Sequence, residues 1–383
     1  MDYRVKTSKI LIHATNISGI GAIQVVRSLL EALAQSAFLD NATILAPDSK
    51  YLHDLDNLCR SASIIPYRKK ILPNSLLRAI ECLFSHKKFQ GYDAALVLGD
   101  MPLHKVSQQT VLVHQPHLIL PSVNVYSSRR IKYMIARWLF KYNLKYVNKV
   151  IVQTGNMKNQ LALSYSELQD QDRIVVMPQP APTWLLNNKL DSKKILYDGQ
   201  LRLFYPAAGY PHKNHCLIKE MQTVAGSKQS LVKELVVTLD KSEENILFPV
   251  VPWVKNVGRI GTDRCLKEYY AAQALFFPSL LESYGMPIVE SMTLGLPVLC
   301  ADLPYAHWLC EDQAIYFNPT DPSSAWLAIE ELHNRLKSGW RVDWRKPLEK
   351  LPKDWKTVAN QFFQAMGLVG DNEELMQVNQ YCH

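Results

Sequence analysis

The 383-residue chain lacks any run of eighteen uninterrupted apolar residues, which excludes an obvious bilayer-spanning helix. Its first stretch, "MDYRVKTSKILIHATN", has neither the apolar core of a signal peptide nor a small-residue cleavage site. A cytoplasmic protein is the simplest expectation. The seven cysteines, at 59, 82, 216, 265, 300, 310 and 382, are odd in number and contain no C-x-x-C pair. That pattern argues against a disulfide framework and against a zinc site. Low-complexity segments are missing, and 48% hydrophobic with 20% charged residues describes an ordinary globular chain rather than a disordered one. No Asp-x-Asp ends a strand in a setting suited to a metal-bridged diphosphate. No serine-histidine-acid order or reactive-cysteine setting marks a nucleophile. Acidic residues are absent between Asp100 and Glu167, a span that holds nine Lys and Arg. Residues 1–180 carry 22 basic against 12 acidic residues and residues 181–383 carry 21 against 23, so the net charge of +8 belongs to the first half. That half should attract something anionic.

What is present is an alternation of short β-branched runs with helix-length segments. "KILIHAT" (9–15) leads through Gly19 and Gly21 into Ile23, Val26, Leu29, Leu30 and Leu33 at helical spacing. Further strands are predicted at 42–47, 94–99, 110–115, 149–154 and 173–178. A proline-bearing, aperiodic stretch at 178–194 marks a break. Strands are predicted again at 201–207, 234–239, 274–279, 297–302 and 314–319, and a helix at 354–369. Apolar runs without alternation suit strands covered on both faces, hence two consecutive doubly wound α/β units. The expected domains are residues 1–180, residues 181–353, and a terminal segment 354–383 crossing back to the first.

The stretch "SLLESYGMPIVESMTLGLPVL" (279–299) carries the most chemistry. Glu282 falls just beyond the predicted strand "ALFFPS", at the end where open α/β sheets bind ligands. Gly285 lets backbone approach a ligand closely, and Pro287 suits the first turn of a helix. The N–H groups around Gly285, Met286 and Ile288 then stand at a positive dipole end able to receive a diphosphate. Glu290, about one turn further on, can offer two oxygens to vicinal hydroxyls. A glutamate in a first helical turn also serves the dipole alone.

Together, "FYPAAGYPHKNHCLIKEM", "NVGRIGTDRCLKEYYAAQALFFPSLLESYGMPIVESMTLGLPVLCADLPYAHWL" and "AIYFNPTDPSSAWLAI" resemble the donor-binding half of glycosyltransferase family 4, over roughly residues 201–330. These are retaining enzymes of the GT-B architecture, in which two Rossmann-like domains face each other across a cleft. The resemblance makes Glu282 and Glu290 the family's E-x7-E pair, with Glu290 on the ribose and Glu282 beside the transferred sugar. It carries a diphosphate-binding lysine over to Lys213, whose charge would offset that developing on the leaving phosphate. The family sets an arginine four or five residues before that lysine, whereas this chain has Ala208 and Gly209. Arg264 or Arg202 is the candidate substitute. Gly19 and Gly21 match the family's glycine turn after the first strand, and His114, with His117 as the lesser alternative, matches a histidine that reaches the donor sugar. The class works without metal and, with no nucleophile in evidence, by front-face transfer, in which the leaving phosphate accepts the acceptor's proton.

The basic first half bears on the acceptor. "SSRRIKYMIARWLFKYNLKYVNK" (127–149) has seven Lys and Arg, five aromatics and no acid. On a helix, Ile131, Met134, Ile135, Trp138, Tyr142 and Tyr146 form one stripe. The stripe favours packing against the sheet, while the basic face favours an anionic membrane surface. A second basic and apolar segment covers 68–88. No nucleic-acid module is evident. The expectation is a cytoplasmic hexosyltransferase on the inner face of the membrane. It would use a nucleotide-diphosphate sugar, no cofactor, and a lipid-pyrophosphate-linked saccharide acceptor in surface polysaccharide synthesis. Alternatives are a nucleotide-sugar-binding partner subunit without transferase activity and a sugar-nucleotide epimerase.

Overall fold

The computed structural model describes residues 8–15, 17, 19–34, 37–47, 62–67, 74–84, 89–106, 108–119, 127–188, 197–247 and 251–369. Cys59, Cys382, parts of the 68–88 segment (68–73 and 85–88) and residues 189–194 of the proline-bearing break lie outside them. The chain forms two compact units, Met1–Pro180 with Pro352–His383, and Ala181–Leu351.

The first unit holds strands β1 (Ile10–His13), β2 (Ala42–Pro47), β3 (Ser63–Tyr67), β4 (Ala94–Val97), β5 (Gln109–Leu112), β6 (Val147–Val152) and β7 (Ile174–Val176). They form one sheet in the order β3-β2-β1-β4-β5-β6-β7, with every pair parallel. Its helices are α1 (Ile20–Leu33), α2 (Asn74–Phe84), α3 (Ser127–Asn143) and α4 (Gly155–Ser164). β1, β4 and β5 are buried at every position, as expected where helices cover both faces of a parallel sheet.

The second unit repeats the plan with β8 (Leu201–Tyr205), α5 (His215–Val224), β9 (Val232–Val237), α6 (Lys241–Leu247), β10 (Val254–Asn256), α7 (Thr262–Ala271) and β11 (Ala274–Phe277). It continues through α8 (Met286–Thr293), β12 (Val298–Ala301), α9 (Pro304–Cys310), β13 (Ile315–Phe317) and α10 (Pro322–Lys337). The sheet order is β10-β9-β8-β11-β12-β13, again all parallel. The order reverses between β1 and β4 in the first sheet and between β8 and β11 in the second, the points where such folds bind ligands. The last helix, α11 (Trp355–Ala365), belongs to the first unit: it packs on α1, and Thr110 Oγ1 donates to Ala365 O at 3.4 Å. Asp354 caps it by accepting from the Thr357 N–H at 2.8 Å.

Two strands depart from the sequence reading, and both are edge strands. β3 contains Pro66, tolerated at an edge because a missing N–H breaks no inner ladder. β10 is three residues long and has no fully buried position. The α3 stripe is a further correction. Leu139, Phe140 and Asn143 face inward, while Ile131, Met134, Ile135, Trp138 and Tyr142 are exposed, so the stripe does not pack on the sheet. The helix is apolar on two faces, and the inward one is offset from the stripe by about a quarter to half a turn. The five described cysteines are all free. Among the described residues no helix is long and apolar enough to cross a membrane.

Candidate active site

At the switch point of the second sheet, the loops that follow β8 and β11 are joined by hydrogen bonds. The Leu280 N–H and the Ser279 hydroxyl both donate to His212 O, at 2.8 and 3.1 Å. Asn214, in the left-handed region at φ +56°, donates its amide to Pro278 O at 3.1 Å and to Pro319 O at 2.9 Å. Tyr205 OH donates to Lys213 O at 2.6 Å from beneath. This framework brings together two side chains 69 positions apart: Lys213 Nζ lies 2.5 Å from Glu282 Oε1, with the side chains 17% and 12% exposed. The ammonium also stands 5.7 Å from the Phe277 ring centroid. Burial first, and then the Glu282 charge, raise the pKa of the Tyr205 and Tyr305 phenols, so both stay neutral donors.

Three residues beyond Glu282, Gly285 turns the chain into α8 at φ +96°, a conformation strained for any residue with a Cβ. An added Cβ would meet Ile288 Cδ1 and Leu309 Cδ1 at 3.4 Å. Pro287 occupies the first turn. One expectation needs correction here: the Ile288 N–H donates to Gly285 O at 2.9 Å and is not free for a ligand, because the first turn closes tightly. The N–H groups of Gly285 and Met286 make no backbone bond among the described residues.

Glu290 lies in a different environment from Glu282. It is buried on α8, and Tyr269 OH of α7 donates to its Oε2 at 2.5 Å. Burial pushes its pKa up to about 7, opposed by the Tyr269 bond. Cys265, also on α7, is held well up by burial and then by the Glu290 charge.

Of the candidate substitutes for the absent arginine, Arg202 is turned away from Lys213. Arg202 stands near the N-terminal end of β8, opposite to the ligand edge, and pairs with Glu234 and Glu268 at 2.5 Å each. Arg264 is exposed on α7, 3.8 Å from Glu268 Oε1 and one turn nearer the N-terminus of that helix. The loops after β9 and β10 hold a cation that the sequence reading missed, Arg259, paired with Asp240. At Gly209, one of the two places where the resemblance would set the arginine, the N–H donates to Glu243 Oε1 at 3.2 Å, and a Cβ there would fall 2.9 Å from Glu243 Cδ. An acid therefore lies beside that position.

In the first unit, His114 follows β5 in a loop gripped by Asp100. One carboxylate oxygen of Asp100 accepts the N–H of His114 at 2.5 Å and of Gln115 at 2.9 Å, with Asp100 itself at φ +67°. Burial lowers the His114 pKa, opposed by Asp100, so the imidazole is neutral. His117 stacks on Tyr133 with centroids 4.3 Å apart. Gly19 sits at the N-cap of α1 and Gly21 within it; neither has a positive φ nor any atom within 4 Å of an added Cβ, so local packing does not require glycine at either place. A buried group missed in the sequence ends β1: His13 Nε2 lies 3.4 Å from Glu81 Oε2 and 3.3 Å from Thr15 Oγ1. Spacing gave no signal of it, since Glu81 comes from α2. No group of three or more His, Cys, Asp or Glu among the described residues could hold a metal ion.

Comparison with known proteins bears on both units. Residues 202–335 match the family model described as "Glycosyl transferases group 1". Over 238 residues the chain is 24% identical to the O-antigen chain mannosyltransferase RfbU of Salmonella typhimurium, covering 58% of this chain and 60% of that protein. A 116-residue stretch is 32% identical to the serotype-specific mannosyltransferase WbdA of Escherichia coli, covering 28% of this chain and 14% of WbdA. The chain thus spans less than two thirds of the curated relatives it matches. Among solved structures, WaaG, a glycosyltransferase involved in lipopolysaccharide biosynthesis, superposes with a TM-score of 0.67 at 13% identity, covering 94% of this chain and 99% of WaaG. The fold is therefore of the GT-B type, and the second unit is related to the group 1 glycosyl transferases.

Proposed function

We propose that this protein is a retaining hexosyltransferase that moves a sugar from a nucleotide-diphosphate donor to a saccharide hydroxyl. The observation that carries this reading is the Lys213–Glu282 contact at the β8/β11 switch point, beside the N-terminus of α8 and with Glu290 buried on the same helix. Lys213 and the N–H groups of Gly285 and Met286 are assigned to the diphosphate, Glu282 to the transferred sugar, and Glu290 to the ribose hydroxyls. In the transfer, the bond from the anomeric carbon to the phosphate oxygen breaks, and the acceptor oxygen bonds to that carbon on the same face. The acceptor's proton passes to the departing phosphate. Lys213 and the α8 dipole offset the negative charge growing there. Gly19 and Gly21 keep the donor-binding assignment that the resemblance implies, His114 its catalytic one at the donor sugar, and Arg264 its place as candidate substitute for the missing arginine, each to be tested by substitution.

Because the relatives named above are O-antigen and serotype-specific mannosyltransferases, a mannose donor is the first to test, with a lipid-pyrophosphate-linked saccharide as acceptor and surface polysaccharide synthesis at the inner face of the membrane as the setting. A metal-free reaction is part of the proposal, and turnover should survive a chelator. A second reading, a donor-binding partner subunit without transfer, draws on Glu243 at Gly209 in place of a cation. Nucleotide-diphosphate release from a donor panel, with and without lipid-linked saccharides, separates the two. Acceptor-dependent release supports the transferase. Tight donor binding without such release sinks it, and conversion of donor with no acceptor present would indicate epimerisation.

A further inference from the structure

Eight of the fourteen large apolar side chains exposed among the described residues fall on two neighbouring helices of the first unit, α2 and α3. On α2 they are Leu76, Ile80 and Phe84, spaced four apart and therefore on one face. On α3 they are Ile131, Met134, Ile135, Trp138 and Tyr142, again one face by helical spacing, with Trp138 stacked on Tyr142 at 5.5 Å. The two helices pack together through the Asn143 side chain, whose amide donates to Cys82 O at 2.8 Å. Both also bury an opposite side in the unit's core, through Cys82 on α2 and Leu139 and Phe140 on α3. The outward faces are thus surplus to what holds the helices in place. Scattered apolar residues are normal on a surface, whereas two adjacent rows mark an interaction site.

Charge identifies the occupant. Arg130 and Lys132 are exposed on either side of the α3 row and form no ion pair among the described residues. Lys141 flanks the row as well, 3.6 Å from Glu167, and Lys145 lies 4.7 Å from the Tyr142 ring. The chain contains no acid between Asp100 and Glu167 to offset them. Apolar and aromatic side chains in the middle, cations at the border and no acid on α3 itself describe a helix lying at the headgroup level of an anionic bilayer.

We infer that α2 and α3 together form a docking surface for an anionic phospholipid membrane, with the α3 row and Phe84 entering the headgroup region. This deepens the functional reading only by naming the surface through which a lipid-linked acceptor would be met, and it stands on the first unit alone. The test uses the full chain without donor or acceptor, so it succeeds or fails independently of transferase activity. Co-sedimentation is measured with phosphatidylcholine vesicles containing about a third phosphatidylglycerol, and with pure phosphatidylcholine. The wild type should bind the anionic vesicles and lose binding as salt rises. Trp138→Ser with Ile131→Ser should weaken binding at least about tenfold. Phe84→Ser should weaken it severalfold, and each of Lys132→Ser and Arg130→Ser about fivefold. Leu163→Ser, exposed on α4 and outside both rows, should leave it unchanged. Thermal melts check that each variant is folded. Equal binding of folded wild type and face variants, or no wild-type binding, overturns the inference. So does an oligomer that the face variants turn into monomers, which would assign the face to a second copy.

Discussion

Glu290 offers the most demanding quantitative test. Its carboxyl lies buried on α8 with one phenol for a partner, and its pKa stands at about 7 rather than the ordinary 4.5. The difference corresponds to about 3 kcal/mol of preference for the protonated form in the folded chain. Because the folded pKa is raised, the native state holds a proton that the unfolded chain releases. That stabilisation is present in full below the unfolded value near 4.5 and is lost as pH rises through the folded value near 7. Glu290→Gln keeps the shape and the Tyr269 contact and removes the charge. The variant should match the wild type near pH 4.5 and exceed it by roughly 3 kcal/mol above pH 8. The assay is urea unfolding of both proteins across pH. Parallel pH profiles would refute the claim that this carboxylate is held in a dry, under-bonded site.

The same variant should lose at the other end of the argument. A carboxylate short of donors gains from vicinal hydroxyls that supply them, so donor binding should draw on the ionised form. Affinity for the nucleotide sugar should be highest above pH 7 and fall below it, and Glu290→Gln should bind more weakly with a flatter pH dependence. Calorimetric titration reads both. A stabilising substitution that weakens binding is the expected signature of a site whose strain the ligand relieves. Stabilisation with undiminished binding would return Glu290 to a structural role.

Lys213→Met removes the only partner Glu282 has in the described hydrogen bonds and, with it, the charge offered to the leaving phosphate. The turnover rate should fall about a hundredfold or more in steady-state release of nucleotide diphosphate, and unchanged turnover would remove Lys213 from the chemistry. Gly285→Ala forces an L-residue to φ +96° and should cost roughly 1–2 kcal/mol in unfolding experiments, with weakened donor binding. Asp100→Ala removes the acceptor of two backbone N–H groups and should destabilise the first unit by about 1.5–3 kcal/mol, measured by chemical denaturation. If His114 acts in the reaction, turnover should fall with it.

Much of the fold was legible because inner strands of a parallel sheet are plain apolar runs, as in "AALV" of β4 and "ALFF" of β11, each buried throughout. The edge strands β3 and β10 were not, since an edge tolerates Pro66 in one case and only three residues in the other. The α3 stripe could be read as a stripe but not assigned to a side. Leu139 and Phe140 give the helix a second apolar face, and only packing decides which one turns inward. His114 was legible, but the Asp100 that holds its loop was not, because a non-glycine residue in the left-handed region follows from tertiary context rather than from propensity.

The two glutamates of the second unit show most clearly where sequence stops. By spacing they are alike, one before and one after a glycine turn. Glu282 is tied to Lys213 through a framework fixed by Asn214, a residue 68 positions away whose side chain bonds the backbone of the loops after β11 and β13. Glu290 has no ion pair among the described residues and is held by a phenol in a dry setting. Their chemical difference arises from α7, α8 and the β8 loop converging, and no local pattern encodes it. One carboxylate is therefore paired with a cation, while the other sits near the midpoint of its own titration until a ligand supplies donors. Such a pair can respond to two parts of one molecule: the first to the charge at a phosphate, the second to neutral hydroxyls. The pH dependence should accordingly be carried by Glu290 alone, and Glu282→Gln should leave the pH midpoint of donor binding in place while lowering turnover.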